Sequence, residues 1–517
     1  MKTYTPIIGM EVHIELSTES KMFCSCPNNP DLLEPNMNIC EVCLGHPGTL
    51  PAPNKVAIHH VVTIGMALGC AIKEVSKFDR KHYFYPDLPK GYQISQYDEP
   101  IAVRGTLRLT FPLEDNARSE VLISIERVHL EEDTAKLTHD SEGNTLVDFN
   151  RAGTPLVEIV TRPDFASAVE AKVYCQELQN ICRALGVSFA DMEKGHMRCE
   201  ANVSVQETGR FEINDGVVHP IGDYVLNNKV EVKNLNSFKA VEKAIEFEIS
   251  RQTAMLERGE VWSQQTRGWD ETKGETVLQR EKENAADYRY FPEPDIPPFH
   301  PRAFMADITL PELPLAMRER FHREYGFSYA DTRLLTQDTT WSSFTEAVMS
   351  ELTEWLRTYP DARDTDEDAR QAHRTNHAKL VGGWLTSKLM GLLIEDKKTL
   401  VDISFTAENF AELITLLHTD KVNSTNAQKI LLEMVKSDTD IDPTHLMEEK
   451  GYGQITDQAV LEQVVIEVIA SYPTQVEQFR SGKEAVIRFL IGMGMKATEG
   501  SADPSAIEAL LRKHLSA

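Results

Sequence analysis

A proline-rich stretch past the middle of the chain limits its possible folds more than any other feature. The segment Phe291–Pro298 has four prolines in eight positions. Because proline lacks a backbone N–H donor, this segment cannot continue as a helix or as a central strand. Short β-branched runs such as Val121–Ile125 precede it, whereas apolar residues at helical spacing, as in Ala378–Met390, follow it. The segment therefore predicts a domain boundary or a rigid extended connector.

The patterns on the two sides of this segment predict an α+β protein with three domains. The 517 residues exceed the size of one hydrophobic core, so several domains are expected. We expect residues 1–297 to form a mixed α/β domain, 298–443 a helical domain and 444–517 a small helical tail domain. The second boundary follows the acidic run Asp438–Asp442, which offers no apolar face and is closed by Pro443.

Two helices are predicted within the first domain. Ser167 and Glu170 have the spacing of a capping box, and apolar residues follow at helical intervals as far as Leu185. The second helix is predicted near Ser237, where apolar residues from Phe238 onward fall on one face. Ordinary amphipathic packing accounts for this second pattern.

Composition and charge exclude several classes of protein. Hydrophobic residues make up 41% of the chain, yet no run approaches the roughly 18 apolar residues that a membrane span needs. Glutamates interrupt the apolar N-terminus before a signal peptide could form, so a cytoplasmic location is expected. The net charge of −26 repels polyanions, which counts against a non-specific DNA or RNA binder. A nucleic-acid partner would have to be recognised by a local basic patch or by its shape.

Four of the eight cysteines cluster near the N-terminus. Cys24, Cys26, Cys40 and Cys43 form the pattern C-x-C-x13-C-x2-C, with two close pairs separated by a loop. This arrangement is typical of a closed tetrahedral zinc site, which would be structural because four thiolates leave no open position. Unrelated reduced thiols are the alternative.

Acidic residues recur in or beside apolar strands. Glu11 and His13 are separated by one residue on a predicted strand, so they project from the same face. Glu158 and Glu200 interrupt otherwise apolar runs, and His129–Lys136 contains three acids in succession. Such carboxylates suggest one shared cation, and Mg²⁺ held by carboxylates and nucleotide phosphates is typical of phosphoryl transfer. A half-exposed strand face is the alternative explanation for Glu11 and His13.

Basic residues should then complete a phosphate-binding site, although any one of them is more often a surface ion-pair partner. The candidates are Lys77, Arg80, Lys81, Arg151, Arg198 and Lys233. Neither a G-x4-G-K-[ST] loop nor a G-x-G-x-x-G motif is present, so no phosphate-loop signature predicts nucleotide binding.

Aromatic and basic residues alternate in the segment Lys81–Tyr97. This composition is typical of a surface that stacks bases and contacts phosphates. Packing of the rings in a core is the alternative.

Several long motifs, in order along nearly the whole chain, resemble the B subunits of aspartyl/glutamyl-tRNA amidotransferases. They are Ile8–Glu15, Phe78–Gln96, His129–Lys136, Asn150–Val160, Glu231–Phe238, Asp287–Asp295 and the tail segment Gly482–Lys496. The resemblance implies a cradle-shaped catalytic domain, a helical domain and a tRNA-contacting tail. It also implies an ATP-dependent ligase with glutamine as amido donor, in which the carboxylate of Glu-tRNA(Gln) or Asp-tRNA(Asn) is phosphorylated and then amidated.

The same resemblance implies the partners and the site. Ammonia would come from an amidase-fold glutaminase A subunit, within a complex that contains a small C subunit, and no nucleophile motif for glutamine hydrolysis occurs in this chain. The implied Mg²⁺ ligands are Glu11, His13, Glu132, Glu158 and Glu200. Glu200 departs from the family pattern, which has aspartate there. In the tail, Lys483, Arg488 and Lys496 are the candidates for tRNA phosphates.

Two other functions compete with this interpretation. A non-catalytic subunit that only presents tRNA would have no need for acids on apolar strands. A free-standing zinc hydrolase is disfavoured because four cysteine ligands leave no place for a catalytic water. Whether Glu-tRNA, Asp-tRNA or both are used depends on which synthetases the cell lacks.

Overall fold

The computed structural model describes residues 2–29, 32, 34–111, 116–282, 288–357, 376–455, 457–498 and 500–516. The chain divides into two compact units, Met1–Pro314 and Leu315–Ala517. The first unit contains the strands and three long helices, and the second is helical, so the α+β prediction is confirmed.

Sixteen strands lie in the described part of the first unit. They are β1 (Tyr4–Glu15), β2 (Ala71–Ile72), β3 (Asp79–His82), β4 (Tyr92–Ser95), β5 (Ala102–Thr110), β6 (Glu120–Glu132), β7 (Lys136–His139), β8 (Thr145–Asp148), β9 (Pro155–Thr161), β10 (Met197–Glu207), β11 (Phe211–Asn214), β12 (Val217–Pro220), β13 (Val230–Leu235), β14 (Gln264–Asp270), β15 (Glu275–Lys282) and β16 (Phe291–Pro292).

Nine of these strands form one mixed sheet in the order β15-β14-β13-β10-β1-β9-β6-β5-β2. The pairing is antiparallel except between β13 and β14. A separate three-stranded sheet, β16-β3-β4, contacts the end of β6. The first two residues of the proline-rich segment form β16 at the edge of this small sheet, as expected because Pro292 lacks an amide donor.

Strand alternation gives the large sheet one apolar face and one polar face. In β1, Ile8, Met10, Val12 and Ile14 are buried in the hydrophobic core, whereas the residues between them include Glu11, His13 and Glu15. Helices pack on the apolar face, so the polar face of the central strands is left for a site.

The described helices follow in chain order. In the first unit they are α1 (Lys55–Ala67), α2 (Ala168–Ala184), α3 (Phe238–Glu257) and the 3-10 helix Pro301–Asp307, with α4 (Pro314–Arg320) at the boundary. In the second unit they are α5 (Tyr329–Leu335), α6 (Thr339–Arg357), α7 (Met390–Glu395), α8 (Ala407–His418), α9 (Ser424–Lys436), α10 (Pro443–Lys450), α11 (Gln458–Ser471), α12 (Pro473–Arg480), α13 (Ile487–Ala497) and α14 (Pro504–Ser516). Short segments add π-helix at Phe321–Tyr325 and Trp384–Leu389 and 3-10 helix at Leu400–Asp402 and Glu484–Val486.

Both predicted helices of the first domain are confirmed. The Ser167 side chain accepts a hydrogen bond from the Glu170 amide at the start of α2. The Ser237 side chain caps α3 in the same way, accepting from the Ala240 amide. Each hydroxyl satisfies an amide that the first helical turn leaves without a partner.

The division between the units follows Pro314, later than the boundary expected at residue 297. Ile296 lies in the core of the first unit, and Phe299, Phe304 and Ile308 pack against that core, which explains why the proline-rich segment stays with the sheet. Within the second unit, the expected boundary at 443 lies close to the end of one hydrophobic cluster, at Leu446. A second cluster begins at Leu461.

None of the helices in the described residues is both long and apolar enough to span a membrane.

Candidate active site and cysteine cluster

The register of four central strands brings acidic and histidine side chains together on the polar face. His13 of β1 lies opposite Glu158 of β9, and Glu158 lies opposite His129 of β6. On the other side of β1, Glu11 pairs with Glu200 of β10. Directly opposite residues point to the same face of an antiparallel sheet, so these side chains share one surface.

The His13 imidazole lies among three glutamates. Its Nε2 atom is 3.3 Å from Glu158, 3.7 Å from Glu131 and 3.8 Å from Glu11. The His129 Nε2 atom is 3.2 Å from Glu158 and 3.7 Å from Glu131. We call these five residues the acid cluster. One ligand atom from each of Glu11, His13 and Glu158 lies within 4.8 Å of the others, which is suitable for binding a single cation.

The pKa values of Glu11 and His13 reflect the close approach of several carboxylates in the acid cluster. Burial and the charge of Glu158 raise the pKa of Glu11 to about 7. Burial lowers the pKa of His13, but the hydrogen bond and charge of Glu158, with the charges of Glu131 and Glu11, outweigh it and raise that pKa to about 9. A protonated imidazole thus partly balances the carboxylates, and a bound metal ion would take over this role by displacing protons.

Glu200 lies beside the acid cluster and is held by a lysine. The Lys233 ammonium is 3.0 Å from Oε1 and 2.9 Å from Oε2 of Glu200, and 3.3 Å from Glu231. The charge of Glu200 also contributes to the raised pKa of Glu11. Glu200 is therefore close enough to influence the acid cluster, while Lys233 is engaged by two carboxylates.

Glu132 lies apart from the acid cluster, and Glu131 occupies the position that was expected for it. Adjacent residues of a strand point to opposite faces, so only one of the two glutamates can face His13. The Lys90 ammonium lies 2.6 Å from Glu132, and the Ile94 amide donates to the same carboxylate at 2.9 Å. His129 and Glu131 are two residues apart on β6, so both side chains point to the same face. This spacing is the sequence signal that could have identified His129 and Glu131 as members of the site.

Arg127, two residues before His129 on β6, also contacts the acid cluster. Its Nη2 atom lies 3.4 Å from Glu158. The same period-two spacing predicts that this arginine shares the polar face, although it was not among the expected basic residues.

A second charged network adjoins the acid cluster. The buried Asp133 carboxylate accepts a hydrogen bond from Arg198 at 2.6 Å and lies 3.6 Å from Arg151. Arg151 also donates to the carbonyls of Thr134 and Ala135. Burial raises the pKa of Asp133, but the two guanidinium groups outweigh it and hold this pKa below its usual range. Both arginines are thus oriented by one carboxylate beside the site.

Lys77 and Arg80 are engaged by carboxylates of the small sheet and its surroundings. The Lys77 ammonium lies 2.7 Å from both Asp79 and Asp98. Arg80 donates to both oxygens of Glu293 at 2.7 and 2.8 Å. These ion pairs stabilise the small sheet, and they leave Lys77 and Arg80 less able to bind a phosphate.

Lys81 differs from the other basic candidates. Neighbouring residues of β3 point in opposite directions, so Lys81 need not share the surroundings of Arg80. Burial lowers the pKa of Lys81, but the negative charges of Glu131 and Glu158 outweigh burial and raise this pKa above its usual range. Among the described residues, no hydrogen bond or ion pair engages its ammonium, which lies 5.1 Å from the centre of the Tyr288 ring. Lys81 is thus an available cation beside the acid cluster.

The aromatic residues near Lys81 are partly exposed. Tyr97 and Tyr290 stack with ring centres 4.4 Å apart, and Tyr97 is 61% exposed. Phe84 is 80% exposed. By contrast, Tyr92 of the same segment is partly buried and packs against the hydrophobic core. The segment therefore supplies both a core ring and a surface on which a base could stack.

A cavity of about 230 Å³ lies between the cysteine loop and the small sheet. Its lining includes Cys43, Gly48, Arg80, Lys90 and Glu132. Glu132 and Arg80, two of the expected site residues, thus face this cavity.

The four clustered cysteines come together as the spacing predicts. One sulfur atom from each of Cys24, Cys26, Cys40 and Cys43 lies within 4.8 Å of the others. A hydrogen bond from Cys24 lowers the pKa of the Cys43 thiol to about 5 against the effect of burial, and the Cys40 amide and Lys21 add to this lowering. Four converging sulfurs fit a closed tetrathiolate zinc site.

The candidate tRNA-contacting residues of the tail, Lys483, Arg488 and Lys496, are all exposed. They are positioned on or just before α13.

Removal of one sulfur should abolish zinc binding. We expect Cys40→Ser to reduce the zinc content of the purified chain from about one atom to well below half of that, because structural zinc requires four ligands. The loss should also lower the midpoint of thermal unfolding. Elemental analysis by mass spectrometry measures the metal, with Cys70→Ser, outside the cluster, as the matched control. Equal zinc in the two variants, or no zinc in the wild type, would contradict a tetrathiolate site.

Comparisons with known proteins bear on the identity of the chain. The family model described as the GatB/GatE catalytic domain matches residues 6–306, and the model described as the GatB domain matches residues 369–515. The first match contains the acid cluster and the four cysteines.

Full-length relatives share one name, that of the B subunit of aspartyl/glutamyl-tRNA(Asn/Gln) amidotransferase. The protein from Acaryochloris marina is 40% identical over 521 residues, which cover 99% of this chain and 98% of that protein. The Thermotoga maritima protein is 40% identical over 522 residues, covering 99% of each. The Rippkaea orientalis protein is 41% identical over 524 residues, covering 99% of this chain and 98% of that protein. With matches of this extent, the chain belongs to the family of aspartyl/glutamyl-tRNA amidotransferase B subunits.

Proposed function

We propose that this chain catalyses the ATP-dependent activation and amidation of the side-chain carboxylate carried by Glu-tRNA(Gln), Asp-tRNA(Asn) or both. The observation that supports this proposal most directly is the acid cluster on the polar face of the central strands, within a family whose name specifies amidotransfer on tRNA. A subunit that only presented tRNA would gain nothing from crowding three glutamates together, two of them buried, because that arrangement costs stability.

The reaction has two steps. The substrate carboxylate oxygen attacks the γ-phosphorus of ATP and ADP leaves, which gives an acyl phosphate. Ammonia then attacks the acyl carbon, phosphate leaves and the amide forms. We propose that the ammonia comes from an amidase-fold glutaminase A subunit, within a complex that also contains a small C subunit.

The proposed Mg²⁺ site consists of Glu11, His13, Glu158 and Glu131, with Glu200 at its side. The raised pKa of Glu11 supports it, since crowded carboxylates that repel each other favour a shared cation. When bound, Mg²⁺ would neutralise charge on the ATP phosphates. Geometry favours Glu131 over Glu132 as the ligand from β6, because Glu132 is paired with Lys90.

Lys81 is the proposed phosphate contact from the chain itself. The charges of Glu131 and Glu158 act on its ammonium, which has no ion-pair partner among the described residues, so it can compensate an incoming phosphate. Arg198, oriented by Asp133, lies opposite His13 in the sheet and is a second candidate. The stacked rings of Tyr97, which is exposed, and Tyr290, which is partly buried, are proposed to receive a base near the tRNA acceptor end or in ATP.

ATP hydrolysis stimulated by misacylated tRNA tests the catalytic role. In the complex with the A and C subunits and Mg²⁺, we expect Glu11→Gln to reduce this hydrolysis by about 100-fold, the scale of losing one preorganised electrostatic contact. Glu212→Gln, an exposed change on the β11 strand, should behave as wild type. If Glu11→Gln kept its stimulated turnover, a non-catalytic tRNA-presenting subunit would become the better description.

A pair of neighbouring variants decides which glutamate of β6 serves the site. We expect Glu131→Gln to weaken the Mg²⁺ dependence of turnover by about tenfold or more, since Glu131 contacts His13 and His129. Glu132→Gln should chiefly lower stability by leaving Lys90 without its carboxylate. Titration of turnover with Mg²⁺ and urea unfolding of both variants separate these effects. A larger Mg²⁺ effect in Glu132→Gln would restore Glu132 as the ligand.

Neutralising Lys81 should affect the use of ATP. We expect Lys81→Met to raise the KM for ATP or lower turnover by about tenfold, because an unshielded cation near the phosphates would be lost. Lys136→Met, an exposed lysine of β7, is the matched control. Steady-state kinetics at saturating misacylated tRNA measure both. ATP kinetics unchanged from the control would remove Lys81 from the site.

A further inference from the structure

Lys21 is a fully buried lysine beside the cysteine cluster. It is 1% exposed, and its side chain is among the largest that the described residues bury completely. The ammonium donates to the carbonyl oxygens of Asn38 at 2.8 Å and Phe149 at 3.5 Å. It also lies 4.0 Å from the sulfur of Cys43.

These contacts leave the charge of Lys21 without a carboxylate partner. Among the residues that the structure describes, no carboxylate oxygen lies within ion-pair distance of its ammonium. Carbonyl dipoles satisfy its hydrogen-bonding capacity in part, but a buried charge is costly unless an opposite charge lies nearby. The nearest group that can carry a full negative charge in these contacts is the Cys43 thiolate.

A tetrathiolate zinc centre has the complementary problem. Four thiolates around Zn²⁺ leave a formal charge of −2, and Cys43 lies in the buried part of the cluster. We propose that Lys21 is the internal counter-ion of the metal centre formed by Cys24, Cys26, Cys40 and Cys43. This inference rests on the proposed metal site and is independent of the ATP chemistry.

The backbone around Lys21 is arranged so that two loops can meet at this ammonium. Gly153 has a φ of +87°, and a Cβ atom there would lie 3.4 Å from the Cβ of Cys43 and 3.5 Å from the Cδ of Lys21. The Met22 amide donates to the Gly153 carbonyl at 2.7 Å. The Asn38 amide donates to the Asn150 side chain at 2.8 Å.

This contact region extends to the active-site face. The loop that contains Asn150 and Gly153 also carries Arg151, which contacts Asp133 beside the acid cluster. Charge pairing at Lys21 therefore stabilises the junction of the cysteine loop with the loop that carries Arg151. Lys21 acts as a positioning residue, since it touches neither substrate nor reacting atoms.

Two neutral variants of the full chain test the proposal by zinc affinity. Lys21→Met keeps the length of the side chain without its charge, and Lys21→Gln also keeps a donor for the carbonyls. Competition with a chromogenic chelator under reducing conditions should show zinc affinity reduced about tenfold or more in both variants, as for other groups that support metal ligands. Lys136→Met should bind zinc as the wild type does. Wild-type affinity in Lys21→Gln would overturn the proposal, even if Lys21→Met failed to fold.

Stability with and without zinc separates a counter-ion from a merely structural lysine. With zinc, Lys21→Met should unfold at lower denaturant concentration than the wild type. Without zinc, when the site no longer carries the charge of four thiolates around Zn²⁺, the loss of stability relative to the wild type should be clearly smaller. Equal destabilisation in both states would overturn the counter-ion role. A wild type that binds no zinc would overturn the metal site and the counter-ion together, without bearing on ATP turnover.

Discussion

The antiparallel pairing of β1 with β9 and β10 is the constraint on which the rest of the first unit depends. Because the register places His13 opposite Glu158 and Glu11 opposite Glu200, four side chains from three strands meet on one face. The intervening apolar residues of β1 fill the core beneath the helices. A shift of one residue would exchange the two sets, so burial of the core and assembly of the site are fixed by the same hydrogen-bond register.

Excess negative charge, with cations placed to balance it, is common to the two candidate metal sites. In the acid cluster, His13 lies among three glutamates, and Lys81 adds a cation from the small sheet. In the cysteine cluster, Lys21 approaches a sulfur of Cys43 from inside the protein. A chain with a net charge of −26 thus places individual cations where buried anions converge, which is consistent with recognition of an anionic substrate by local contacts.

Local signals predicted some features well and left others open. The caps at Ser167 and Ser237 and the four cysteines were recognised because each depends on residues close in sequence. The choice between Glu131 and Glu132 depends on which strand face meets His13. The resemblance named Glu132, whereas the register brings Glu131 to the acid cluster. The unit boundary falls after Pro314 because residues beyond the proline-rich segment still pack on the sheet.

Residue types at short spacing and motifs along the chain were sufficient to predict the α+β class, the helix starts and the cysteine pattern, and to indicate the family. Which charged groups are available depended on the tertiary fold. Lys77, Arg80 and Lys233 are engaged by carboxylates that in part lie far away in sequence, whereas Lys81 is influenced by the charges of the acid cluster and has no such partner among the described residues. The partners of a charge depend on sheet order and register, which no local pattern specifies.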